Sequence, residues 1–137
     1  MTDIGQLRRL TGDYPAAAVS LHQALEAYRA TGSPACLVLN QFGELSTLTR
    51  DTRQACDYHA EALAGARDLG RLPDEACALE GIGRSHLHDG DHVQAATYLR
   101  QALAIYQRIA SPDAQRVQEA LRDLDLDARP GVTYPEL

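Results

Sequence analysis

The sequence predicts an all-α fold made of stacked helical hairpins, and three observations predict it. Three segments of the 137-residue chain align with one another, each carrying a glycine 19 residues before an Ala-Leu pair: Gly5 to Ala24-Leu25, Gly43 to Ala62-Leu63 and Gly83 to Ala102-Leu103. The step that links one unit to the next varies, from 19 residues (24 to 43) to 21 (62 to 83). A constant interior with a variable connector is what stacked supersecondary units produce, because loops tolerate insertions and packed helices do not. Within the units the apolar spacing is helical, and nothing in the chain alternates with the period of two that a half-buried strand requires.

The elements follow in chain order. A short helix near 3–11 leads into one over 14–31, where Ala17, Leu21, Ala24, Leu25 and Tyr28 form a single apolar stripe. Helices over 34–49 and 52–69 make the second hairpin. The stripe of the latter keeps Ala55, Ala62, Leu63, Ala66 and Leu69 but places His59 where the other units have leucine. The third hairpin takes 74–88 and 92–109, with Ala95, Leu99, Ala102, Leu103, Tyr106 and Ile109 on one face. Asp13, Asp51 and Asp91 stand where the second helix of each pair begins, suited to cap its free N–H groups and to meet the positive end of its dipole. Gly12 and Gly90 before two of them permit a tight turn, and Pro34, Pro73 and Pro112 mark the start of the next helix, with Ser33 and Ser111 as caps. Gly5, Gly43, Gly83, Ala17, Ala55 and Ala95 fall where the two helices of a hairpin cross. A glycine inside a helix costs about 1 kcal/mol against alanine, so recurrence at one repeat position needs a packing reason.

A last helix over 112–124 carries Ala114, Val117, Leu121 and Leu124 on one face and is expected to cover the apolar end of the third hairpin. The repeat domain is thus 1–124, with hairpins at 3–31, 34–69 and 74–109, and residues 125–137 read as a flexible tail.

Composition removes several function classes. The net charge of −6 argues against a nucleic-acid groove, which depends on clustered cationic side chains. Residues 1–10 include Asp3, Arg8 and Arg9 and lack the apolar centre of a signal peptide; no later stretch approaches the roughly 18 apolar residues of a membrane span. A cytoplasmic protein is expected. Cys36, Cys56 and Cys77 fit neither a zinc knuckle nor a disulfide framework and read as small buried thiols.

The pattern apolar-x-x-Ile/Phe-Gly, then Gly-Asp, then Ala-x6-Ala-Leu resembles the tetratricopeptide repeat, in a variant slightly longer than the usual form of roughly 34 residues. The resemblance covers residues 1 to about 110. The phrases LRRLTGDYPAAAVSLHQALEAYRATG and GIGRSHLHDGDHVQAATYLRQALAIYQRI are more specifically similar to the C-terminal repeats of large actinobacterial transcriptional regulators, which follow a DNA-binding domain and a nucleotide-binding switch domain. Neither a Gly-x4-Gly-Lys-Ser/Thr motif nor a basic recognition helix is present in this chain.

The resemblance implies a right-handed superhelical stack that binds a protein or peptide as a scaffold or sensor, with a regulatory role. It places the ligand on the concave face formed by the first helix of each hairpin. On that face it selects Gln6 and Arg9 from the first unit, Asn40, Gln41, Glu44 and Thr47 from the second, and Glu80, Arg84 and His88 from the third. Asn40 is the residue expected to bond a ligand backbone, because an amide offers both a donor and an acceptor. Arg84 is suited to a carboxylate, which Glu44 and Glu80 would repel.

Two other readings compete. The cluster His86, His88, Asp89, Asp91 and His92 has the density of a zinc or nickel site, yet Asp89-Gly90-Asp91 is the turn between two helices, which separates His88 from His92. A purely structural oligomerisation module is the other. No Ser-His-Asp or Cys-His spacing marks a nucleophile, so no catalytic residue, metal or cofactor is assigned and no enzyme is expected. A homodimer through the N-terminal hairpin is expected, because the first helix has room for only about nine residues and covers Leu21, Leu25 and Tyr28 less fully than its counterparts cover theirs.

Overall fold

Apolar spacing near 3.6 residues produces six helices in the computed structural model, which describes residues 14–31 and 35–132, with side chains through residue 125. They are α1 (Tyr14–Thr31), α2 (Cys36–Leu48), α3 (Thr52–Leu69), α4 (Leu72–His88), α5 (His92–Arg108) and α6 (Asp113–Val132). No strand occurs among the described residues. The expected helix at 3–11, and with it Gln6, Arg9, Gly5, Gly12, Asp13 and the N-terminal pairing surface, lies outside the described residues, as do Ser33 and Pro34.

Local chemistry accounts for most boundaries. Asp51 and Asp91 accept hydrogen bonds from the backbone N–H of Gln54 and Gln94, each at 3.1 Å, and so cap α3 and α5. Ser111 accepts from the N–H of Asp113 at 3.1 Å ahead of α6. Helix α4 starts at Leu72 rather than 74, because Pro73 sits within the first turn, where its missing N–H is not needed. Where the sequence reading has a flexible tail from 125, α6 continues as helix to Val132; no residue from Asp125 to Arg129 is a strong helix breaker.

Four turns between helices share one geometry. Arg50, Gly70, Gly90 and Ala110 all have positive φ, at 66°, 67°, 82° and 55°. Behind each, the next N–H reaches back to the last turn of the helix: Asp51 to Ser46, Arg71 to Ala66, Asp91 to His86 and Ser111 to Tyr106, at 2.8–2.9 Å. This is the Schellman arrangement, which uses up carbonyls that the helix end leaves free. Two of the four residues are not glycine, and a left-handed conformation costs a side chain about 1–2 kcal/mol. Arg50→Gly is therefore expected to stabilise the fold by about 1 kcal/mol, and Gly90→Ala to destabilise it by a similar amount. Urea denaturation checks both; a stabilising Gly90→Ala would refute the assignment of strain.

The hairpins stack so that α3 lies against α2 and α4, α5 against α4 and α6, and α2 reaches α4 directly. One core gathers Leu21, Leu25, Val38, Leu39, Phe42 and Leu45, the other Leu79, Leu99, Tyr106, Val117 and Leu124, and Leu63 borders both. Ala17, Ala55 and Ala95 are fully buried, as expected for residues at helix crossings. A side chain at Gly83 would meet Leu99 Cγ at 2.9 Å and the Ala95 carbonyl at 3.2 Å, so this glycine makes room for the leucine of the following helix. Helix α6 covers the end of the stack with Val117 and Leu124 buried, while Gln115, Gln118, Glu119 and Arg122 face outward.

Candidate functional site

The inner helices α2 and α4 leave a cavity of about 400 Å³ between them. Six residues selected from the sequence line it: Asn40, Glu44 and Thr47 from α2, and Glu80, Arg84 and His88 from α4. Gln41 does not line it, being buried in the stack at 1% exposure. Five further lining residues, Leu48, His59, Cys77, Gly81 and Arg116, were not among those selected.

His59 reaches the cavity from the outer helix α3. At the repeat position where Leu21 and Leu99 fill their own units, its ring passes between Gly43 on α2 and Gly81 on α4, and a methyl group added at either glycine would land on the imidazole. The His59 ring is held by Asn40, whose Oδ1 lies 2.8 Å from Nδ1. Asn40 donates from Nδ2 to the backbone carbonyl of Asp74 at 3.3 Å. With the amide nitrogen so oriented, Oδ1 is the acceptor and the proton of a neutral ring sits on Nδ1. Burial favours that neutral form, lowering the pKa of His59 to about 4 against a partial opposing pull from Glu80. Asn40 thus lines the cavity with its amide already engaged within the fold.

Glu80, the repeat equivalent of Asn40, holds the other end. It is buried, yet four donors converge on its carboxylate: Arg116 Nε at 2.9 Å and Nη2 at 2.7 Å, Arg84 Nε at 3.0 Å and the Tyr106 hydroxyl at 3.0 Å. Burial acts to raise its pKa, but the hydrogen bonds and charge of Arg116, with those of Arg84, outweigh it and hold the carboxyl below the ordinary range. Arg116 comes from α6, so the covering helix is fastened to the inner surface by a paired buried charge as well as by apolar packing. Desolvation pushes the neighbouring thiol of Cys77 up to about 12, which leaves it protonated and unreactive.

The surplus polarity of the cavity lies at Glu44 and Arg84. Glu44 has no ion-pair partner among the described residues, and Arg84 commits only Nε to Glu80. Thr47 donates to the carbonyl of Gly43 on its own helix at 3.0 Å. A second cavity, of about 310 Å³, is walled by rings that contact one another, with Phe42 4.7 Å from His22 and 4.9 Å from Tyr58 between centroids. Among the described residues no Asp, Glu or Arg side chain lines it.

The histidine-rich turn is not assembled for a metal. His86 stacks on Tyr98 at 5.6 Å, Asp89 accepts from the Thr52 hydroxyl at 2.7 Å, and Asp91 caps α5. Among the described residues no group of three His, Cys, Asp or Glu side chains is placed to share an ion. Nor is any described helix long and apolar enough to cross a membrane.

Antiparallel helical hairpins whose four described turns share one geometry, with a polar cavity on the inner layer, define a helical-repeat module. Residues 34–108 match the tetratricopeptide repeat profile, which is more than half of the chain, and the protein belongs to that family. Tetratricopeptide repeats generally mediate protein–protein interactions and typically serve as non-enzymatic scaffolds.

Proposed function

We propose that this chain binds a segment of another protein in the cavity between α2 and α4, acting as a scaffold or sensor module with a regulatory role in the cytoplasm. The observation that carries the reading is the convergence of unspent polar groups in one place: Glu44, the terminal amino groups of Arg84 and the imidazole of His59 all border the same cavity. Other polar groups of the same cavity are turned on partners within the fold, as at Glu80. The binding surface is therefore Glu44, Thr47, Arg84 and His88, with Asn40 and Glu80 acting behind them to position His59 and Arg84.

A random dodecapeptide library displayed on phage and selected against the full chain tests this. Peptides recovered are expected to shift the backbone amide resonances of Thr47, Gly81 and Arg84, and Arg84→Gln is expected to weaken their binding by about 1–2 kcal/mol, the loss of a charge-assisted hydrogen bond. Recovered peptides that perturb only the outer helices α3 and α5 would overturn the assignment.

A further inference from the structure

The cavity between α2 and α4 contains a buried polar atom with no partner among the described residues. His59 is 3% exposed, and its Nδ1 is committed to Asn40, so the lone pair on Nε2 is used by no described residue. Because the ring stands between Gly43 and Gly81, this nitrogen lies in the gap between α2 and α4, and the residue forms part of the cavity lining. Two opposite charges flank the gap. Glu44 follows Gly43 on α2, and Arg84 stands about one turn beyond Gly81 on α4. They occupy equivalent positions of successive repeats, since the step from 44 to 84 equals that from Gly43 to Gly83.

Packed helices lie about 8–10 Å apart. An extended chain advances about 3.3–3.6 Å per residue, so a segment crossing from α2 to α4 spans the interval in about three residues. Resting on the reading that the cavity binds protein segments, we propose that it selects one chemistry. A hydrogen-bond donor side chain, the indole of Trp or the hydroxyl of Tyr, Ser or Thr, meets His59; a basic residue faces Glu44, and an acidic residue about three positions away faces Arg84. An acceptor group at the central place would set lone pair against lone pair. An aliphatic one would displace water from Nε2 and leave it unpaired, which buried polar groups tolerate poorly.

The test repeats the dodecapeptide selection on the full chain and on two variants. His59→Leu installs the residue found at positions 21 and 99, both fully buried, so the repeat fold itself supplies the template for a folded variant; circular dichroism and a thermal melt verify it. Glu44→Arg reverses a half-buried charge of the cavity lining, and the same melt verifies its fold. Selection on the wild type is expected to enrich a donor residue between a basic and an acidic one. Those peptides should bind His59→Leu about tenfold more weakly, selection on that variant should keep the charges and lose the donor, and selection on Glu44→Arg should exchange the basic residue for an acidic one. Peptides that map to the cavity by amide shifts but show no donor preference, or that bind His59→Leu unchanged, overturn this inference and leave the cavity as a protein-binding surface. Peptides that map elsewhere, or a selection that enriches nothing, overturn the surface itself.

Discussion

Folding stability is expected to fall by about 3 kcal/mol as pH is lowered from 6.5 to about 4, through His59 alone. The imidazole has an ordinary pKa of 6.5, which burial lowers to about 4 in the folded state. Between those values the unfolded chain binds the proton and the folded chain does not, so protonation draws molecules toward the unfolded state and stability rises with pH across the window. Each unit of difference is worth about 1.4 kcal/mol, which sets the magnitude. Glu80 acts in the same direction at lower pH: its folded pKa is depressed below the ordinary 4.5, so its contribution is present above that value and lost as pH falls through the folded one. Urea titrations at pH 7, 5.5 and 4.5 on the wild type and on His59→Leu separate the two. The variant should be nearly flat down to about pH 5 and decline only below. An equal slope in both proteins would show that His59 is not buried neutral.

Gly81→Ala is expected to destabilise the wild type by about 2 kcal/mol and to become neutral or stabilising when His59 is replaced by alanine. The added methyl group falls on the imidazole, which cannot retreat because Gly43 stands on its other side. Overpacking of this kind costs about 1–3 kcal/mol, against which alanine returns up to about 1 kcal/mol of helix propensity. In the His59→Ala background only the propensity gain survives, so the sign reverses. Gly43→Ala should behave alike. A double-mutant cycle with no coupling between positions 59 and 81 would mean that the ring does not occupy the space between the two inner helices.

Helix phases, caps and the hairpin order were legible in the sequence because each rests on neighbours within a turn or on the repeat itself. Asp51 and Asp91 cap the helices they precede, and the alanine positions are buried. The repeat register also brought Asn40, Glu44, Glu80 and Arg84 to one surface. What it did not convey was which of their polar atoms are free. The amide of Asn40 is used by a residue of the outer helix and by a carbonyl of the next hairpin. The negative charge of Glu80, expected to repel a carboxylate, is matched by Arg84 and by Arg116, a residue on the polar phase of a helix 36 positions away. His59 was visible as an exception to leucine, yet its path needed Gly81, which lies two residues out of step with the repeat glycines and so carried no signal of its own.

The four left-handed turns stand at 50, 70, 90 and 110, and their equality has a bearing on how such a chain lengthens. The backbone repeats every 20 residues, whereas the side-chain pattern, read from Gly43 to Gly83, repeats every 40. A duplication of one helix with its turn would splice into the chain without geometric mismatch, and every helix after it would change layers, sending glycines to the outside and exposed faces to the interior. Duplication of two would leave each residue on its own side. Growth of the array is therefore restricted by parity, a rule that resides in the side chains alone because the turns are blind to it.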